Sequence, residues 1–159
     1  MAVTGAFFVL YVLLHMYGNL KVLAGQEAFD TYAHHLRTFG EPMLPYGGLL
    51  WIFRILLLGS LIGHAYAAFT LWSRAGSARK TKYAVLKTAA SAQWMRWGGV
   101  AILLFVVWHL IHFTIVKPVI NVDGPDAAAI KASPYEMVVA SFQLWWIVLI
   151  YLLALAALG

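Results

Sequence analysis

The sequence predicts an all-α protein: an integral membrane helix bundle with four transmembrane helices in a single domain, residues 1–159. Three observations lead there. The composition is far more apolar than that of a soluble protein, with 63% of residues hydrophobic, 11% charged and a mean hydropathy of +0.80. Four segments, about 3–24, 47–72, 94–116 and 137–158, are each long enough to cross roughly 30 Å of hydrocarbon, which takes about 20 helical residues. Pro42, Pro45, Pro118, Pro125 and Pro134 all fall between those segments. Within hydrocarbon a helix is the state that satisfies every backbone polar group from inside one segment.

The first segment, 3–24, lacks a basic leader and a small-residue cleavage site, so it reads as a membrane helix rather than a signal peptide. Residues 25–46 contain "EAFDTYAHHLRTF", where Phe29, Tyr32, Ala33, Leu36 and Phe39 share one helical stripe. That pattern predicts an amphipathic helix lying on the membrane surface. The loop 73–93 carries Arg74, Arg79, Lys80, Lys82 and Lys87 and no acid, whereas the other two loops hold all six acids. Basic loops stay in the cytoplasm, so 73–93 is expected inside and 25–46 and 117–136 outside. Trp51, Trp72, Trp94 and Trp97 stand near segment ends, where indoles anchor at the interface. The expected location is the bacterial cytoplasmic (inner) membrane, crossed several times.

Composition also excludes. With no cysteine, the chain holds no disulfide, iron–sulfur cluster or thiolate zinc site. The net charge of +5 is no nucleic-acid signature, because the basic residues gather in a loop flanked by membrane segments, where anionic lipid is the natural partner.

Each of the first three segments carries an interior histidine: His15, His64 and His109, with His112 one turn beyond. An ionisable side chain at membrane depth is costly and marks a functional site by default. At about 1.5 Å per residue, His15 lies about 18 Å and His109 about 21 Å from the cytoplasmic ends of their helices, whereas His64 lies only about 12 Å from its own. Two histidines from different helices at one level can ligate one iron from opposite faces, as in a bis-histidine haem b that carries electrons. His109 and His112 leave one helix about 60° apart, so both approach any iron from one side. Zinc fits poorly, since imidazoles at two depths with no intramembrane carboxylate make no tetrahedron. Gly18, Gly59, Gly63, Gly98 and Gly99 allow close approach of a porphyrin or a neighbouring backbone; Gly59 and Gly63 equally match helix–helix packing spacing. Arg54 can meet a haem propionate or snorkel to the interface, and Arg96 can serve an inner haem or a quinone. The competing reading of an intramembrane histidine is an interhelical hydrogen bond, which suits His112 best. His34 and His35 read as a solvated face.

The stretch "MAVTGAFFVLYVLLHMYGNLKVLAGQEAFDTYAHHLR" closely resembles the opening of the cytochrome b membrane-anchor subunit of succinate dehydrogenase, of the single-chain, five-helix, two-haem type shared with certain fumarate reductases. "LIGHAYAAFTLW" and "RWGGVAILLFVVWHLIHFT" resemble its second and third helices. The resemblance implies two b haems stacked across the membrane. It implies His15 and His109 as axial ligands of the distal (outer) haem and His64 as a ligand of the proximal (inner) haem. It implies a flavoprotein subunit that oxidises succinate and an iron–sulfur subunit that passes electrons to this anchor, which delivers them to quinone. None of the succinate chemistry would lie on this chain. Glu41, near the outer end of the second helix, is then a candidate for quinone and proton handling. The partner of His64 is expected on a fifth helix outside these residues, so the chain is expected to be a fragment. Other readings are the cytochrome b subunit of another quinone-linked oxidoreductase, a haem-free anchor, or a transporter whose histidines carry protons.

Overall fold

The computed structural model describes residues 1–77, 90–116 and 132–158, and all regular structure among them is helical. Arg79, Lys80, Lys82 and Lys87 of the basic loop, and residues 117–131 of the second outer loop, lie outside the described residues. The chain divides into two units, Met1–Lys82 and Tyr83–Gly159.

In the first unit, α1 (Ala2–Leu20) continues through a 3-10 turn, Lys21–Ala24. Together they give a 23-residue rod, about 35 Å long at ~1.5 Å per residue. Leu10, Leu13, Leu14 and Tyr17 on it are exposed, which is costly in water and costless in lipid. Gly25, at φ 93°, redirects the chain into α2 (Gln26–Thr38). A positive φ is open to glycine at little cost. Tyr32 of α2 lies flat against Gly18 of α1, where an added Cβ would meet the tyrosine ring at 2.8 Å. The Tyr17 and Tyr32 rings meet edge to face at 6.2 Å.

The amphipathic stripe of α2 is only partly covered. Phe29 is buried and Tyr32 and Ala33 are half-buried, but Leu36 is 38% and Phe39 68% exposed. The helix stops at Thr38, and Phe39 takes an extended backbone (φ −63°, ψ 121°) that carries it off the stripe. A tight turn through Gly40 and Gly47 leads on to α3 (Gly48–Ser77). This helix outruns its expected end at Trp72, because Ser73 and Ser77 hydroxyls bond to helix carbonyls and no proline intervenes. Thr4 faces His64 and Tyr11 lies near Arg54, so α1 and α3 run antiparallel.

The second unit comprises α4 (Ala90–Leu110), which runs on as a π-helical turn (Ile111–Val116), then α5 (Pro134–Phe142) and α6 (Trp145–Leu158). Helices α4 and α6 pack antiparallel. Gly98 sits against the Ala157 carbonyl, where a Cβ would lie 2.9 Å from that oxygen, and Trp108 meets Trp146 edge-on at 6.0 Å. Helix α5 starts three residues before the expected Met137. Ser133 caps it by accepting from the Glu136 amide at 3.2 Å, with Pro134 in the first turn.

The fourth expected segment, 137–158, is not one straight helix. Helices α5 and α6 meet at 92° across Gln143 and Leu144. The Ser141 hydroxyl donates back to the Met137 carbonyl at 2.6 Å, a bond that bends helices. The Leu144 carbonyl then accepts from both Ile147 and Val148, restarting the helix in a new direction. Three helical stretches, Ala2–Ala24, Gly48–Ala75 and Gln93–Thr114, are therefore long and apolar enough to cross a membrane, and a fourth if the bent pair counts as one span.

Candidate functional site

His64 is held by α1. Thr4 Oγ1 donates its proton to the Met1 carbonyl at 2.9 Å and lies 2.8 Å from His64 Nδ1. A hydroxyl that spends its one proton on that carbonyl accepts from His64, which would then carry its hydrogen on Nδ1 and its lone pair on Nε2. Phe8 presents an edge contact to the imidazole at 5.6 Å, and Gly5 leaves room beside Cε1. An imidazole oriented through Nδ1 and open at Nε2 is the usual form of a metal-ligating histidine.

His15 lies on the same helix as Thr4, eleven residues on, so His15 and His64 stand about 16 Å apart along α1. Its ring stacks on Tyr11 at 5.3 Å, with Tyr11 Oη 3.4 Å from His15 Nδ1. Arg54, ten residues before His64 on the antiparallel α3, falls near the level of His15. Its guanidinium lies over the Trp51 ring, 5.0 Å from the centroid, and is exposed.

In the second unit His109 and His112 converge on one phenol. Tyr151 Oη is 3.0 Å from His109 Nδ1 and 3.5 Å from His112 Nδ1. Regular helical geometry places the two imidazoles apart; a phenol from α6 and the π-helical turn that carries His112 bring both to a common oxygen. His109 is half-buried. His112 is 0% exposed and stacked on Trp108 at 5.6 Å, and among the described residues its Nε2 has no hydrogen-bond partner, like the buried Nε1 of Trp108. Thr4, Tyr11 and Tyr151 are the partners that a search for intramembrane histidines and charges passes over. The signal for Tyr151 was a single hydroxyl inside "WWIVLIYLLALAAL".

The remaining candidates are more dispersed. Arg96 is exposed on α4, and Glu41 is exposed in the turn between α2 and α3. Of the glycines, Gly18 accommodates the Tyr32 ring and Gly98 a carbonyl, whereas Gly59, Gly63 and Gly99 have no neighbour within 4 Å among the described residues. His34 and His35 are exposed on α2. Among the described residues no three His, Asp or Glu side chains cluster as a metal-ion cage would require. Comparison with family models, curated proteins and solved structures returns no match.

Proposed function

We propose that the chain is a haem b-carrying membrane-anchor subunit of a succinate:quinone oxidoreductase. In this reading it takes electrons from an iron–sulfur subunit, itself fed by a flavoprotein subunit, and delivers them to membrane quinone. The observation that carries the reading is His64, held by Thr4 through Nδ1 at 2.8 Å and about 16 Å along α1 from His15. Two histidines at two levels match two stacked one-electron carriers better than one site.

His64 would ligate the proximal haem through Nε2, with Thr4 fixing its ring. His15 and His109 would each serve as an imidazole ligand of the distal haem, a role that the chemistry of each residue allows. Haem, when bound, supplies reversible one-electron transfer at iron, with a potential set by its axial ligands and their hydrogen bonds. Arg54 would neutralise a propionate on the outer side. The apolar helix surfaces exclude water from the carriers and seat the subunit in lipid. Arg96 and Glu41 are the charged residues available to quinone.

The test is a reduced-minus-oxidised absorbance spectrum of the purified complex, with pyridine haemochrome to count haems. A b-type band with two haems per anchor is expected; no band removes the electron-carrier reading. The second reading, a proton-conducting protein, is favoured by the His109–Tyr151–His112 chain, since linked imidazoles and phenols relay protons. It predicts proton flux in vesicles from a chain that binds no haem.

A further inference from the structure

We propose that the cleft between the end of α1 and α2 binds the headgroup of a zwitterionic phospholipid with a primary amine, as in phosphatidylethanolamine. The site uses none of the histidines assigned to haem and does not depend on that reading.

The cleft measures about 470 Å³, with Lys21 on one wall and Glu27, Thr31 and His35 on the other, and Tyr32 beside them. Glu27, Thr31 and His35 follow one another at intervals of four along α2, the spacing that stacks side chains on one helix face. Gly25, at φ 93°, turns that face back beside the 3-10 turn that carries Lys21. The surroundings are packed. Tyr32 lies flat against Gly18 and meets Tyr17 edge to face, and the Lys21 ammonium sits over the Tyr17 ring, 5.2 Å from its centroid. A cation already held over a ring loses less freedom when a ligand arrives.

The charges select the ligand. Lys21 and Glu27 share the cleft, yet among the described residues neither forms an ion pair. Opposite charges held apart across one cavity complement a molecule that carries both signs. A purely anionic group would meet the Glu27 carboxylate, and a simple cation would meet Lys21. A phosphodiester linked through a short carbon chain to an ammonium satisfies both. Its phosphate oxygens accept from Lys21 Nζ, the Thr31 hydroxyl and the His35 ring, and its ammonium donates to Glu27. A quaternary amine has no N–H to give.

Position selects a lipid over a soluble zwitterion. The rod that ends at Ala24 has 23 residues, about 35 Å against roughly 30 Å of hydrocarbon, so the cleft stands at headgroup depth. Leu13, Met16, Leu20 and Leu23 are exposed at intervals of three and four, a single stripe that runs from the rim of the cleft down α1 and offers an acyl chain its track.

The experiment incubates the full chain, purified in detergent, with equimolar phosphatidylethanolamine, phosphatidylcholine and phosphatidylglycerol of identical acyl chains, and counts bound lipid by native mass spectrometry. One phosphatidylethanolamine should be retained about tenfold over phosphatidylcholine, the worth of one hydrogen bond to a charged group. Carbodiimide, which joins a carboxylate to an amine with loss of water, should couple that lipid to Glu27, as read by peptide mapping. Glu27→Gln should erase the preference and leave phosphatidylcholine retention as it was, and Lys21→Gln should weaken retention of all three lipids. Equal retention of the amine and choline lipids overturns the proposal. So does preferred retention of phosphatidylglycerol, the mark of a plain anion site, or coupling only at carboxylates other than Glu27. Those three results come from the unsubstituted chain and need no variant to fold. A Glu27→Gln chain that keeps the preference overturns it as well.

Discussion

The Thr4 hydroxyl ties His64 to a residue sixty positions earlier in the chain, lying 2.8 Å from its Nδ1 and 2.9 Å from the Met1 carbonyl. One side chain on α1 thus holds the ring of a histidine on α3, and a hydroxyl that gives its proton to Met1 is an acceptor for Nδ1–H.

Thr4→Val removes that acceptor at nearly constant volume. Losing such an outer partner of a metal-bound histidine costs on the order of 10–100-fold in affinity. One haem should become easily lost from the complex on dilution, with its band weakened and the other intact, while Thr4→Ser retains both. Equal retention in Thr4→Val and the parent would remove Thr4 from the site.

Helix α4 and the π-helical turn that continues it offer a choice of ligand. His109→Ala and His15→Ala should each remove the same haem, and His112→Ala should leave haem content near normal. Haem stoichiometry, with spectra to identify the missing carrier, checks all three. Loss in His112→Ala with retention in His109→Ala would move the ligand by one turn.

Orientation can be read with single cysteines, since the chain has none of its own. Cysteines at Ser77, the last residue of α3, and at Thr38, ahead of its first, should label from opposite faces of the membrane with an impermeant reagent. Labelling from one face would refute the inside-basic arrangement.

Glycines separate into those with a neighbour and those without. Gly98→Ala puts a methyl 2.9 Å from a backbone oxygen that cannot yield, and overpacking of that kind costs about 1–3 kcal/mol. Gly99→Ala meets nothing within 4 Å and should leave stability in detergent almost unchanged. Thermal unfolding followed by circular dichroism distinguishes them; equal midpoints would mean that α4 and α6 do not pack through Gly98.

The apolar segments were legible because helix is the one state that hydrocarbon permits an isolated strand of chain, and α2 was legible from its stripe. Two features were misjudged from local signals. The start of α5 was written in Ser133-Pro134-Tyr135-Glu136, a capping pattern, but hydropathy alone moved the start to Met137. The break at Gln143 and Leu144 carries no proline or glycine; it depends on a local serine bonding back one turn and on Phe142 of α5 seating against Tyr151 of α6, a contact between helices. The partners of His64 and His109 were illegible for the same reason. A threonine and a tyrosine within apolar runs become informative only when another helix brings a histidine to them.

Helices that meet at 92° cannot both stand along the membrane normal. If α6 stands upright, α5 lies in the plane, and the 14 residues of α6 reach only about 21 Å against roughly 30 Å of hydrocarbon. The lipid beside α6 must then thin to meet it, at fractions of a kcal/mol per ångström. The protein should accordingly be more stable in bilayers of short acyl chains than in long ones, and its surroundings should be enriched in lipids that compress readily.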